Sequence, residues 1–402
     1  GLGDVYKRQM PKLQLDLPLM VMVYWMLSLL ALSIIHMPDI AMTLIELLRA
    51  GYLTQMRWLG LASSLAAIVN TFWSLESFVT PNSDPVAASG WWMFTVIGAI
   101  ASYAAYMLQD DPHEHFWPIL AFHGTLLFAS VLGFGQWRFA RLVSRLQRSV
   151  HAAAGDVVPG RIITSSDIQH LPAVVQRWLS RSGCVGRPPI RTAIFHQSGA
   201  MRLKPEATAW IPSASTQITS VAQPAFVWSV SMMMGPVPVL GRDLFQCGQG
   251  SMLITAAGLV PFVNVGPHPK INQSALQRYL GEICWLPSAA LAPYITWQSV
   301  DSEPNSARAT MRVPDGDGGS SGAPIVGSAV FRFTPEGDLL QFVAPRYKEI
   351  TDAVPLEWRA DATDWAEFEG FRIPTKLDAT WMLPAGPFTW FKFDVIDAHY
   401  EF

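Results

Sequence analysis

Residues 192–203 read TAIFHQSGAMRL. From Ile190 onward the apolar pattern turns to a period of two. In a strand successive side chains point to opposite faces, so this alternation reads as β structure with one face packed. The same pattern returns in ATAWIPSASTQIT (207–219), AFVWSVSMM (225–233) and the run LGRDLFQCGQGSMLITAAGLV (240–260), with breaks at Pro, Gly or Asn. It resumes in YITWQSV (294–300), ARATMRV (307–313), GSAVFRFT (327–334) and LLQFVAPRYKEI (339–350). The end of the chain, 360–383 and 389–402, adds three or four more strands. The count is about ten sequential, mostly antiparallel strands, which curl into a barrel, half-barrel or meander.

Helices are few in this part. Residues 171–179, LPAVVQRWL, form one, with Pro172 suited to its first turn and Gly183 just past its end. A second covers about 272–285, and a short helical piece follows near 288–291. In QRYLGEICWLP (277–287), Leu276, Leu280 and Ile283 share one helical face. Arg278, Glu282 and Trp285 stack at i, i+4 and i+7 on the other. An inserted helix in a half-barrel buries one face on the sheet and turns the other toward the lumen. Arg278, Tyr279, Glu282 and Trp285, with Arg346 and Tyr347 from a strand, are therefore the candidate ligand-binding residues. Asp315 to Pro324 (DGDGGSSGAP) reads as a flexible hairpin loop.

The N-terminal part differs in kind. Over the whole chain of 402 residues half the side chains are hydrophobic, only 15% are charged, and the mean hydropathy is +0.24. That is too apolar for an ordinary soluble enzyme. Uncharged runs lie at 17–35 and 90–108, and further apolar runs at 58–79 and 116–134. A bilayer core needs about 20 helical residues, so the four read as transmembrane helices. Residues 10–137 thus predict a four-helix transmembrane domain. Residues 138–164 predict a basic juxtamembrane helix and linker, and 165–402 a β-rich soluble domain. The fold class is α+β. The first nine residues, GLGDVYKRQ, read as a non-native scar.

Arg138, Arg141, Arg145 and Arg148 form one helical stripe after the fourth span, a membrane-surface candidate facing anionic headgroups. Counting basic residues on each side places both termini inside a bacterial cytoplasmic membrane, with the C-terminal domain cytoplasmic. His36, Asp111, His113 and His115 are a weak alternative metal set. Their spacing matches no known motif, and no metal or cofactor is expected.

Catalytic motifs are not found. There is no G-x-S-x-G elbow, phosphate loop, dinucleotide fingerprint or HExxH, and the histidines of the soluble part are single. Three cysteines, Cys184, Cys247 and Cys284, lie far apart and read as buried free thiols. A net charge of −3 without a basic patch excludes nucleic acid as an expected partner.

LPAVVQRWLSRSG (171–183), HQSGAMR (196–202), QRYLGEICWLP (277–287), APRYKEI (344–350) and FEGFRIPTKLDATW (368–381) together resemble a bacterial, membrane-anchored domain family of unknown function, over about 165–402. In general shape the strand order is also similar to the lipoprotein-carrier half-barrels, whose curved antiparallel sheets wrap helices and hold acyl chains. The resemblance implies a β domain that binds membrane lipids or another apolar small molecule without catalysis. An enzyme of unrecognised type acting on a membrane-derived substrate, and a membrane-tethered interaction or sensor module, are the other readings. Nothing in the sequence points to a protein partner.

Overall fold

The computed structural model describes residues 116–155, 160–235, 237–314 and 323–402. The chain divides into two compact units, one of Gly1–Trp137 with Met233–Pro238 and one of Arg138–Met232 with Val239–Phe402. In the first unit, the described part of helix α1 (Phe116–Ala152) holds the rings of Phe134 and Trp137 5.9 Å apart. The spans expected over 17–35, 58–79 and 90–108 lie outside the described residues, as do His36, Asp111, His113 and His115. The fourth, 116–134, coincides with the first half of α1. Among the described residues no helix is long and apolar enough to cross a membrane.

The second unit is built on one 13-stranded antiparallel sheet that forms a half-barrel. Its strands are β1 (Thr192–Met201), β2 (Ile211–Ser220), β3 (Ala225–Met234), β4 (Val237–Gln246), β5 (Gln249–Ala256) and β6 (Val260–Val265). After helix α4 (Pro269–Glu282) come β7 (Ile295–Ser299), β8 (Ser306–Val313), β9 (Ile325–Phe333), β10 (Leu339–Arg346), β11 (Leu356–Phe368), β12 (Phe371–Leu383) and β13 (Gly386–Glu401). The order is β6-β5-β4-β3-β2-β1-β13-β12-β11-β10-β9-β8-β7. Two meanders thus meet where β1 pairs with β13, and α4 links the two edges. The expected count of about ten strands was low because the run 240–260 holds two tight turns. Cys247 and Gly248 (φ 52° and 75°) and Ala257 and Gly258 (φ 52° and 75°) all adopt positive φ. Turns with two positive φ angles match the twist of a hairpin. Only the glycines advertise such turns in sequence, and each run had a cysteine or alanine in the first place.

Helix α4 and the 3-10 turns Ile283–Trp285 and Pro287–Leu291 fill much of the concave face. The His268 side chain accepts the Lys270 backbone N–H and Pro269 opens the first turn, which fixes where α4 begins. Glycine on the sheet lets it approach. A Cβ on Gly250 of β5 would lie 2.8 Å from Ala275 Cβ and from the Ile271 carbonyl oxygen, and one on Gly327 of β9 2.3 Å from Leu276 Cδ2. Leu276, Leu280 and Ile283 are fully buried on the sheet as the periodicity required.

On the convex face, the part of α1 in this unit lies across β2 to β5. Phe139 and Val143 pack on Leu240 and Leu253. Leu146 and Val150 pack with Ile218, Ala225, Val227 and Leu244. Arg138, Arg141, Arg145 and Arg148 are exposed on its opposite side.

One end of the half-barrel is covered by α2 (Ser165–Ile168) and α3 (Ala173–Arg181). Trp178 of α3 lies 6.0 Å from Trp297 and 5.6 Å from Phe333. Asp338, in the β9–β10 turn, accepts from Arg181 at 3.1 Å and from Arg372 Nε at 2.7 Å, tying α3 to β12. The other end is formed by the β1–β2, β5–β6, β10–β11 and β12–β13 connections, which the antiparallel order places together.

Candidate functional site

Strand β2 puts an unusual set of side chains inside. Ser213, Ser215, Gln217 and Thr219 alternate along it and are all buried. Its other face is covered by α1 through Ile218. A polar alternate face would ordinarily be assigned to water, so sequence alone turns this strand the wrong way round. Gln197 joins the set from β1, its Oε1 accepting from Ser215 Oγ at 2.8 Å and from Trp228 Nε1 at 3.0 Å.

Into this polar stripe α4 delivers Arg278. Its Nε donates to Glu282 Oε1 at 2.7 Å, one Nη to Asp243 Oδ2 at 2.7 Å and the other to Gln217 Oε1 at 3.0 Å. Gln217 closes the loop by donating to Glu282 Oε2 at 2.8 Å. The guanidinium lies 4.8 Å from the ring centres of both Phe226 and Trp228. Side-chain exposure is 14% for Arg278 and 13% for each carboxylate. The pair is therefore not a surface bridge contributing a few tenths of a kcal/mol. It belongs to the buried class, in which removing one partner costs about 3–5 kcal/mol. Burial alone would depress the Arg278 pKa, but Glu282 and Asp243 outweigh it and hold the guanidinium above its ordinary value.

Arg346, at the end of β10, is the second cation and its setting is the opposite. It is half-buried and stacks 4.4 Å over Trp358 and 5.6 Å over Trp381. Its Nε is buried with no hydrogen-bond partner, as is the neighbouring Trp358 Nε1. Among the described residues no carboxylate forms an ion pair with it. Burial, and then the like charge of Arg278, push its pKa down to about 10, against the smaller pull of Asp243 and Glu282. These four charges therefore share one region of the concave face. Around them lie the buried aromatic rings of Trp228, Trp358, Trp381 and Phe391.

Of the six residues singled out from sequence, Arg278, Glu282 and Arg346 come together here and three do not. Trp285 leaves the stripe because α4 ends at Glu282 and a 3-10 turn follows. That turn has about three residues per turn, so the i+7 relation to Arg278 fails. Trp285 instead packs on Phe195 and Phe393 and donates to the Pro374 carbonyl at 3.0 Å. Tyr279 is buried on the sheet side, its hydroxyl donating to the Ser220 carbonyl at 2.9 Å and lying 3.0 Å from Tyr294 Oη. Burial pushes this phenol well above its ordinary pKa. Tyr347 lies beside the start of α4, its carbonyl accepting from Ser274 at 2.6 Å and its ring 5.5 Å from Lys270 Nζ.

Asp243, Gln217, Gln197 and Trp358 belong to the site and were not singled out. Asp243 sits in GRD, a charge pair inside an otherwise apolar strand, and that is the one sequence signal that could have found it. Of the cysteines, Cys184 and Cys284 are buried, but Cys247 is exposed in the β4–β5 turn. The exposure of Cys247 departs from the expectation that all three thiols are buried. Among the described residues no cluster of three metal-ligating side chains occurs.

Residues 161–393, more than half of the chain, match the model of a family of unknown function, DUF6544. No curated protein matches. Among solved structures, the crystal structure of a LolA superfamily protein from Nitrosomonas europaea is similar over 57% of this chain and 94% of that one, at 10% identity and a TM-score of 0.29.

Proposed function

The chain belongs to the DUF6544 family of unknown function, and we propose that its β unit binds, without catalysis, an amphiphile with an anionic head and an apolar tail. The observation that carries this reading is Arg346. A half-buried guanidinium with an unpartnered Nε, held over two tryptophan faces, is costly for a folded chain to keep. A carboxylate or phosphate head would supply the missing acceptor in bidentate form. Trp358 Nε1 offers a further donor beside it. The buried rings of Trp228, Trp381 and Phe391 make the interior beside these groups apolar, the surroundings that a tail would need.

The same reading puts the protein in a bacterial cytoplasmic membrane, held by the apolar runs at 17–35, 58–79, 90–108 and 116–134 and with the β unit on the cytoplasmic side. Membrane lipids are then the nearest source of such a ligand. The test uses the purified full chain. Bound lipid is extracted and identified by mass spectrometry, and displacement of a fluorescent fatty acid gives the affinity. Arg346→Met should lose both the co-purified anionic lipid and the displacement signal. If the parent protein carries no amphiphile and takes up none, the reading fails.

A further inference from the structure

The end of the half-barrel opposite α3 exposes large apolar side chains that nothing in the second unit covers. Leu203, Val260, Phe262, Ile350 and Val354 are each at least 38% exposed. Leu203 lies in the β1–β2 connection and Ile350 and Val354 in the β10–β11 connection, while Val260 and Phe262 are among the first residues of β6, just after the β5–β6 connection. The register gathers those connections at one end. Met201 pairs with Phe391 near the start of β13, Val239 near the start of β4 pairs with Ala256, and Arg346 pairs with Leu356. Arg346, the last residue of β10, therefore stands at this end. Isolated exposed apolar residues need no explanation, but a ring of them around one mouth does.

Two further features lie at the same end. The chain enters the second unit here. Phe139 and Val143 of α1 touch Leu240 near the start of β4, whereas His151 reaches Glu401 at the far end, 2.8 Å away. Arg138 and Arg141 are thus the members of the arginine stripe nearest the rim, and both are exposed, as is Lys204 in the β1–β2 loop. Acids at the rim are mostly engaged locally. Glu349 pairs with Lys348 at 3.2 Å, and Asp352 accepts the backbone N–H groups of Lys348 and Glu349, while Glu206 is exposed. The second unit begins at Arg138, and the sequence before it holds uncharged apolar runs of bilayer length.

We propose that this rim is a membrane-docking surface, seated on an anionic leaflet with the mouth of the half-barrel facing the lipid. Apolar side chains enter the boundary of headgroups and acyl chains, and the nearby arginines meet anionic headgroups, which is how peripheral surfaces bind bilayers. The surface does not depend on the amphiphile reading. If both hold, a ligand passes from leaflet to concave face without crossing water.

Lipid-resident bromine tests it, because bromine quenches a fluorophore only on close approach. In the full chain with Cys247→Ser, single cysteines are introduced by Val260→Cys, Val354→Cys and, at the α3 end, Glu336→Cys, and labelled with an environment-sensitive dye. Each protein is reconstituted with vesicles of phosphatidylethanolamine and phosphatidylglycerol carrying brominated acyl chains. The strands between the two ends have up to 16 residues, and even ten residues span about 33 Å. Both rim labels should lose more than half of their emission, and the Glu336→Cys label should be unchanged. Adding Phe262→Asp should restore the rim emission, with an unchanged near-ultraviolet dichroism spectrum showing that the fold is intact. Rim labels that are not quenched, or an α3-end label quenched as strongly, would overturn the proposal. A quenched rim in a chain that takes up no fluorescent fatty acid would keep this surface and sink the ligand reading alone.

Discussion

Arg278 on α4 donates to Asp243 on β4 at 2.7 Å, joining the one long helix of the concave face to a strand 35 residues earlier in the chain. Arg278 also holds Glu282 and Gln217, so three acceptors depend on one cation. Arg278→Met would leave two poorly hydrated carboxylates without a counter-charge. The expected loss is about 3–5 kcal/mol of unfolding free energy, read as a lower urea midpoint. The triple variant with Asp243→Asn and Glu282→Gln should recover a large part of it, because nothing charged is then left stranded. A triple variant as unstable as the single one would mean that Arg278 acts through packing on Phe226 and Trp228 instead.

Close approach of α4 to the sheet rests on glycine at two strands. Gly250 is the stricter case, since the atoms a Cβ would meet include the Ile271 backbone, which cannot rotate away. Gly250→Ala should cost about 1–3 kcal/mol, the usual range for overpacking, and shift α4 outward. Thermal unfolding measures the cost. Loss of the Gly250 N–H bond to Asn272 Oδ1, now 2.9 Å, would appear as faster exchange of the amide at position 250.

Stability should fall with acid through Glu303. Its hydrogen bonds from Arg332 and Ser306 hold the carboxyl down at about 2. An unfolded glutamate titrates near 4.3, so the folded state favours the ionised form. The sign follows. The contribution is complete above the unfolded value, fades as pH falls from about 5, and is gone below the folded value of about 2. The pair is substantially exposed, so salt weakens it. Glu303→Gln should lower the melting temperature at neutral pH and leave it nearly unchanged at pH about 2, narrowing the difference between the two conditions. An unaltered pH difference would show that other carboxylates carry the acid sensitivity.

How far the sequence could lead depended on which signal each element used. Strand periodicity, the helix before Gly183 and the burial of Leu276, Leu280 and Ile283 are properties of short windows, and they were legible. Gly183 even shows its reason, with φ of +77° and the Gly370 carbonyl 2.5 Å from where a Cβ would stand. Of the concave network, Arg278 and Glu282, one helical turn apart on α4, and Arg346 of β10 were legible. Its other members come from β1, β2, β4 and β11. Nothing in the β2 sequence announces that Ser213 to Thr219 face inward. That follows from α1 covering the opposite face, which is a tertiary fact. Trp285 was misplaced because a switch from α to 3-10 geometry has no strong local mark here; Pro287 lies two residues too late to reveal it.

Arg346 separates stability from function. Replacing it by Met removes a cation whose pKa is pushed down to about 10 by burial and by Arg278, and whose Nε has no partner. The flexible thioether fills similar space over Trp358 and Trp381. The urea midpoint should stay level or rise, since a poorly compensated buried charge is exchanged for an apolar group. Binding should move the other way, with the affinity for a fluorescent fatty acid falling at least about tenfold, or about 1.4 kcal/mol. Arg346→Lys keeps the charge but not the fork, so it should bind with intermediate affinity. Such opposed shifts are expected where a residue is kept for binding at a cost in stability. A large drop in the urea midpoint with unchanged fatty-acid affinity would instead make Arg346 a structural clamp on the two tryptophans, and the anion-binding role would be withdrawn.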